Sequence, residues 1–234
     1  MQAVVLAGGK GRRLEPYTTL LPKPLMPVGE YPVLEILLRQ LKAQGFDEVI
    51  LAVGHLAELI EAYFQDGRRW GLRIRYSREP EPLGTVGPLA LLRDQLEEHF
   101  LVLNGDILTE LPFGEVLRFH QHQSTPLTIA INRRTVEVDF GVVDHENHRL
   151  VGYHEKPVIS YWVSMGVYAF RRDVLSYIPP GQHFDVPDLV QTLLSAQESI
   201  AVFPFEGFWL DIGRETDFRE AQRAFAQRKE SLLP

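Results

Sequence analysis

The sequence predicts an α/β protein with a mixed, mostly parallel sheet to which antiparallel strands are added later in the chain. Over the first 110 residues, compact apolar runs of strand length alternate with helical patterns, which is typical of parallel strands covered by helices. Beyond residue 106 most apolar runs are β-like and fewer helices separate them. This change of pattern indicates antiparallel strands joined to the first sheet.

Each element is predicted from a local pattern of apolar residues and end signals. Strands are predicted from short apolar runs at 3–7, 48–53, 100–103, 127–131, 140–143, 150–154 and 162–170. Helices are predicted at 33–43, 56–64, 187–196 and 215–227. The first helix is closed by Gly45, and Pro187 suits the first turn of the third. No repeat or low-complexity linker interrupts the chain, so we expect a single domain over residues 1–234.

Composition excludes several classes of function. The formal net charge of -7 argues against broad nucleic-acid binding, which usually requires a basic surface. The absence of cysteine excludes disulfides, thiolate metal sites and a cysteine nucleophile, so any metal is expected on oxygen ligands. No apolar stretch of about 18 residues and no basic leader is found, and we expect a cytoplasmic protein without a membrane partner. The chain stops soon after its last predicted helix, so no long extension is expected there.

A basic, glycine-rich segment follows the first predicted strand. Residues 6–14 read LAGGKGRRL, so glycines alternate with Lys10, Arg12 and Arg13. Glycines let backbone amides approach an anion and the cations add charge-assisted contacts, which predicts a phosphate-binding loop. The spacing matches neither the dinucleotide fingerprint nor the P-loop. A tight strand-to-helix turn with incidental charges remains the alternative.

Lys23 stands in a second unusual segment, between Pro22 and Pro24. Flanking prolines keep the chain extended and stiff, so they present this side chain from a rigid support. The pattern favours a phosphate clamp, with a surface lysine in an ordinary proline turn as the alternative.

Together these segments resemble the signature of the sugar-phosphate nucleotidylyltransferases. The resemblance rests on LAGGxGxRLxPxT at 6–18, PKP at 22–24, EPLGTVG at 81–87, NGD at 104–106, EKP at 155–157, GVY at 166–168 and WLDIG at 209–213. It implies a Rossmann-like three-layer fold of the glycosyltransferase-A type. The implied reaction joins a nucleoside triphosphate to a sugar 1-phosphate and releases pyrophosphate, with Mg²⁺ as the cofactor. Residues 1–110 would bind the nucleotide and residues 111–234 the sugar phosphate.

Within the family, the pattern is most similar to guanylyltransferases acting on mannose 1-phosphate or a hexosamine 1-phosphate, because of FDVPDL at 184–189 and FP at 203–204. The resemblance implies GTP and mannose 1-phosphate as substrates, with glucosamine 1-phosphate, or uridylyl or thymidylyl transfer, as alternatives. A regulatory protein that only binds nucleotide sugars is a further alternative. Two positions depart from the family: Arg12 replaces a usual threonine, and Ser164 stands near a frequent asparagine.

The resemblance also implies a role for each matching residue. The catalytic residues would be Arg13, Lys23 and Asp106. The nucleotide would be bound by Leu6, Ala7, Gly8, Gly9, Gly11, Arg13, Lys23, Gly84 and Asp106. The sugar phosphate would be bound by Gly141, Glu155, Lys156, Gly166 and Asp211. The metal ligands would be Asp106 and Asp211, which suits magnesium because it commonly takes one or two carboxylates. The expected partners are the two substrates, without nucleic acid, and the choice between monomer and homodimer stays open.

The histidines are not expected to form a metal site. His120 and His122 are two residues apart, and side chains with that spacing do not share one face of a helix. The pair His145 and His148 also lacks the i,i+4 spacing of a zinc-binding helix. All four are predicted to be surface residues.

Overall fold

The computed structural model describes residues 1–79 and 81–234. Its strands are β1 (Gln2–Ala7), β2 (Pro27–Val28), β3 (Tyr31–Pro32), β4 (Glu48–Val53), β5 (Arg73–Arg78), β6 (His99–Asn104), β7 (Ile107–Thr109), β8 (Leu127–Glu137), β9 (Val142–Glu146), β10 (Arg149–His154), β11 (Val158–Arg171), β12 (Ile200–Phe205) and β13 (Trp209–Asp211). Its α-helices are α1 (Val33–Ala43), α2 (Ala57–Phe64), α3 (Phe113–Gln121), α4 (Val186–Ser195) and α5 (Glu215–Leu232). None of the helices in these ranges combines the length and apolar character that crossing a membrane requires.

A mixed sheet forms the centre of the molecule, in the strand order β12-β8-β11-β6-β1-β4-β5. Strands β6, β1, β4 and β5 run parallel to one another, and β12 runs parallel to β8. Strand β11 lies between β6 and β8 and is antiparallel to both. The sheet is therefore mostly parallel with an antiparallel insertion, which confirms the predicted fold class.

Helices cover both faces of this sheet. Side chains alternate along a strand, so Ala3 and Val5 of β1 point to one face and Val4 to the other. The first face packs against α1, α2 and α3, and the second against α4 and the 3-10 helical segments Gly87–Gln95 and Arg172–Tyr177. Two apolar cores on either side of one sheet make three layers.

A third apolar core lies under α5 and fixes the two ends of the chain to each other. Phe225 of α5 packs with Leu14, Val28 and Leu210, which come from the opening segment and from β13. This packing holds β13 beside the glycine-rich segment, although the two lie near opposite ends of the sequence.

The main departures from the sequence prediction are local. His120 is wrong as a surface residue: it is 0% exposed, and its Nδ1 lies 2.8 Å from Thr128 Oγ1. It lies on α3, a helix that the apolar pattern alone did not reveal, and that helix packs it against the sheet. The strand predicted at 140–143 begins at Val142 instead, which leaves Phe140 exposed outside it.

Candidate active site

The carboxyl ends of four parallel strands meet at one edge of the sheet, where open α/β sheets bind ligands. Gly8 follows β1, Gly54 follows β4, Glu79 follows β5 and Gly105 follows β6. The first loops are joined directly, since the amide that follows Gly54 donates to the Gly8 carbonyl at 3.2 Å, and the Gly105 amide donates to the Leu6 carbonyl at 2.9 Å. A cleft of about 830 Å³ opens at this edge.

The cleft contains every residue that the sequence assigned to nucleotide binding. Its lining includes Leu6, Ala7, Gly8, Gly9, Gly11, Arg13, Lys23, Gly84 and Asp106. These residues come from separate segments of the chain, and only the fold brings them to one cleft.

The glycine-rich segment is shaped by one residue with left-handed backbone. Gly11 has a φ of 61°, and a Cβ there would lie 2.9 Å from the Thr18 methyl group. Its carbonyl accepts hydrogen bonds from the Leu14 amide at 2.8 Å and from Thr18 Oγ1 at 2.9 Å. The chain therefore turns sharply into a 3-10 turn at Arg12–Leu14. Around Gly9 the space that a Cβ would occupy is open among the described residues, which leaves this side of the loop free for a ligand.

Lys23 lines the cleft and is held between two carboxylates. Its Nζ pairs with Asp106 Oδ2 and lies 3.9 Å from Asp211 Oδ1. Strands β7 and β13 bring the carboxylates together, because Asp211 pairs across to Ile107 and the Ile212 amide donates to the Asp106 carbonyl at 3.0 Å. The Lys23 side chain is only 12% exposed, so this cluster is partly shielded from water.

The charges in this cluster influence one another. Burial raises the pKa of Asp211, and the negative charge of Asp106 raises it further, while Lys23 and Arg13 act in the opposite direction. Arg13 reaches the same place, since its guanidinium lies against Gly213: a Cβ at that position would be in van der Waals contact with Nη2, at 3.4 Å. The site is thus two carboxylates facing two cations.

The carboxylates suit a hard divalent cation. Asp106 Oδ1 is buried and has no hydrogen-bond partner among residues 1–79 and 81–234, so one anionic oxygen is left to accept a ligand. No cluster of three or more His, Asp or Glu side chains that could hold a metal is found over the same residues. Magnesium needs no such cluster, since it usually keeps several waters and takes one or two carboxylates.

Glu79 is a cleft residue that sequence reasoning missed. It is half-buried, its Oε2 accepts a hydrogen bond from the Leu83 amide at 3.0 Å, and burial raises its pKa. Its carboxylate fills the space beside Gly8 that a Cβ would need. Only its place directly after a strand end distinguishes it in the sequence, and β5 itself was not predicted.

Gly84 occupies a tight contact between two loops. Its φ is 81°, and a Cβ there would lie 2.7 Å from the Phe184 carbonyl oxygen and 2.8 Å from Asp185 Oδ1. The absence of a side chain was expected to give a nucleobase access to the backbone. The structure adds a second reason for glycine, which is the close approach of the segment that precedes α4.

The residues assigned to the sugar phosphate fall into two groups. Asp211 adjoins Lys23, and Gly166, with a φ of 71°, packs against the side chain of Asn104, which lines the cleft. The remaining three are Gly141, Glu155 and Lys156, which flank the exposed hairpin β9–β10. Within the described chain, these three are not part of the lining of the cleft. Two of them meet at Tyr153, whose hydroxyl donates to Glu155 Oε2 at 2.8 Å and whose ring packs on Gly141.

Comparison with known proteins adds an independent line of evidence. The family model described as Nucleotidyl transferase matches residues 2–228. A UTP--glucose-1-phosphate uridylyltransferase of Synechocystis is 33% identical over 98% of this chain and 64% of its own length. Mannose-1-phosphate guanyltransferase beta-B of Xenopus laevis is 35% identical over 93% of this chain and 62% of its own length. The chain thus spans somewhat less than two thirds of these relatives.

The fold is also found among solved structures. The crystal structure of HddC from Yersinia pseudotuberculosis complexed with GMP-PN superimposes with a TM-score of 0.75 at 23% identity, covering 96% of this chain and 99% of that one. The three-layer fold expected from the sequence is therefore confirmed.

Proposed function

This chain belongs to the nucleotidyl transferase family, and we propose that it transfers a nucleotidyl group from a nucleoside triphosphate to a sugar 1-phosphate, releasing pyrophosphate. The observation that carries the proposal is the convergence of Arg13, Lys23 and Asp106 in the lining of the glycine-walled cleft, with Asp211 directly beside Lys23. The proposal would have been contradicted if these four residues lay on separate surfaces of the protein.

The reaction needs positioning and charge more than proton transfer. The attacking phosphate of a sugar 1-phosphate is already largely ionised at neutral pH, since its second pKa is about 6, so no general base is required. The barrier comes from bringing two polyanions together and from the charge on departing pyrophosphate. Arg13 and Lys23 lower it by offering fixed cations, and the amides around Gly9 and Gly11 receive phosphate oxygens.

Asp106 and Asp211 would hold the Mg²⁺ that we propose as cofactor. When bound, the ion supplies positive charge that polarises phosphate oxygens and offsets their charge in the transition state. Lys23 lies between the two carboxylates, and its positive charge favours the ionised form of Asp211, which is the form that binds a cation.

We propose GTP and mannose 1-phosphate as the substrates, supported by the similarity to mannose-1-phosphate guanyltransferases. The similarity to a uridylyltransferase keeps UTP as the alternative donor. Residues 1–110 supply the nucleotide side of the cleft in this proposal. Residues 111–234 would supply the sugar side. Asp211 adjoins Lys23 and Gly166 packs on Asn104, both of which line the cleft, and Glu155 and Lys156 would contact the sugar from the hairpin. The cytoplasmic location stays a prediction, and the choice between monomer and homodimer stays open.

A matrix of nucleoside triphosphates against sugar 1-phosphates tests the proposal by pyrophosphate release in the presence of Mg²⁺. Release that requires both substrates, with GTP and mannose 1-phosphate the fastest pair, is the expected result. Binding of a nucleotide sugar without release for any pair would instead support the regulatory protein. Release by one substrate alone would contradict the transfer reaction.

A further inference from the structure

The loop of residues 83–87, which forms one wall of the cleft, is fastened to the segment before α4. Asp185 Oδ1 accepts two hydrogen bonds from Thr85, one from its amide at 2.8 Å and one from its hydroxyl at 3.0 Å. The same hydroxyl accepts a hydrogen bond from the Val186 amide at 2.9 Å. The two partners are 100 residues apart in sequence, so this fastening exists only in the folded protein.

Backbone hydrogen bonds extend the fastening on both sides of Thr85. The Phe184 carbonyl accepts from the amides of Val86 at 3.1 Å and Gly87 at 3.0 Å, and the Phe184 amide donates to the Leu83 carbonyl at 2.9 Å. These contacts require a left-handed glycine at position 84, as described above. Asp185 supplies the charged acceptor among these contacts, and hydrogen bonds to a charged acceptor contribute more than neutral ones.

Both ends of this contact reach the ligand cleft, since Gly84, Thr85 and Asp185 all line it. We propose that Asp185 is a positioning residue: through Thr85 it sets the wall formed by residues 83–87 in the conformation that receives the nucleotide. The inference rests on the proposed function for the identity of the ligand. Asp185 acts through another residue and does not itself take part in the transfer.

A preformed wall reduces the ordering that binding must otherwise supply. Without the fastening, the loop samples other conformations and the nucleotide binds only the competent fraction, which raises the apparent dissociation constant in proportion. The proposed chemistry takes place at Lys23 and Asp106, which pair with each other and with Asp211 but make no hydrogen bond to Thr85 or Asp185 within the described chain, so the bound nucleotide still reacts at a similar rate. The expected signature is a raised KM for the nucleoside triphosphate with little change in kcat.

The test compares Asp185→Ala with two matched variants. Asp185→Asn keeps the Oδ1 acceptor for both Thr85 hydrogen bonds. Asp188→Ala removes the carboxylate that accepts the Asp185 amide at 2.9 Å, so it weakens the start of α4 but leaves the contact with Thr85. We expect Asp185→Ala to raise the KM for the triphosphate on the order of 10- to 100-fold, as for loss of hydrogen bonds to a charged group. Asp188→Ala should stay within about 3-fold of the native value. Asp185→Asn should fall between Asp188→Ala and Asp185→Ala, because it keeps an acceptor for both hydrogen bonds but a neutral one.

Hydrogen exchange of the ligand-free protein provides a readout independent of activity. The amides of Thr85, Val86 and Gly87 should exchange faster in Asp185→Ala than in Asp188→Ala. Thr85→Val, with Thr85→Ser as its control, repeats the test from the other partner if Asp185→Ala does not fold.

Each outcome decides between two statements. Unchanged exchange and unchanged KM in Asp185→Ala, or equal effects in Asp188→Ala, overturn the positioning role. If the native protein releases no pyrophosphate from any substrate pair and Asp185→Ala still exchanges faster, the contact between Thr85 and Asp185 is supported and the proposed function is contradicted.

Discussion

Replacing Asp106 by asparagine removes one negative charge from the cluster while keeping the shape of the side chain. The carboxamide oxygen can still accept a hydrogen bond from Lys23, so the fold is expected to persist. The spacing of opposite charges in this cluster sets the energy scale of the lost charge. Lys23 Nζ lies 3.9 Å from Asp211 Oδ1 and pairs directly with Asp106. A unit charge pair at about 4 Å is worth about 4 kcal/mol at the effective dielectric of a partly buried site.

If that energy is lost from the transition state, kcat falls by about 10³-fold, since each 1.36 kcal/mol is about a factor of ten. The measurement is pyrophosphate release at saturating substrates over a range of Mg²⁺ concentrations. Asp94→Asn, which neutralises an exposed carboxylate on the 3-10 segment outside this cleft, is the matched control. Circular dichroism and thermal unfolding verify that Asp106→Asn retains the fold.

A second readout comes from the neighbouring carboxylate. The charge of Asp106 contributes to the raised pKa of Asp211, so its removal should bring the Asp211 pKa back toward the ordinary range. This titration can be followed by NMR on side-chain carboxyl carbons. A kcat within about 3-fold of the native enzyme, in a folded Asp106→Asn protein, would refute the assignment of Asp106 as a metal ligand.

Arg13→Ala should lower kcat by about 10- to 100-fold with a smaller rise in KM, as for loss of a charge-assisted contact made in the transition state. Steady-state kinetics that show a change in KM alone would exclude this role. Gly84→Ala should lower the free energy of unfolding in urea by about 2 kcal/mol or more, because it adds a collision with Phe184 to the backbone strain. The control is Gly181→Ala, which should show strain alone, since Gly181 has a φ of 68° and open space among the described residues. Burial lowers the pKa of His120 to about 4, so the unfolded chain binds its proton first and stability should fall as the pH drops from about 6.5 toward 4. Urea unfolding at pH 7 and pH 5 should show a smaller loss in His120→Gln, and an equal loss would contradict this origin.

The strongly patterned elements could be predicted to the residue. Helix Val33–Ala43 and strand Glu48–Val53 have the expected bounds, because an apolar stripe, a terminal glycine and a short apolar run each define their own ends. Strand Arg73–Arg78 was missed because it contains no compact apolar run, although its alternation of charged and apolar residues suits its place at the edge of the sheet. Helix Phe113–Gln121 is short, and its buried histidine does not stand out as an apolar residue.

The cleft could be predicted where its residues belong to motifs that stand directly after a predicted strand. The glycines after β1 and Asp106 after β6 stand at strand ends, so their proximity follows from the rule for parallel sheets. Contacts that depend on tertiary packing could not be foreseen. Thr85 pairs with Asp185 from 100 residues away, and Glu79 lies beside Gly8, so both placements depend on loops that only the folded sheet brings together.

The partners of Lys23 have a consequence for how the protein matures. Asp106 precedes β7, and Asp211 belongs to β13, the strand that pairs with β7 from far downstream in the sequence. During synthesis, a nascent chain lacking β13 has the glycine turn and the lysine but only half of the acidic pair. In the proposed function, activity therefore requires that β13 pairs with β7. The connection before β13 is a place to divide the chain into two fragments, whose complementation would test this requirement.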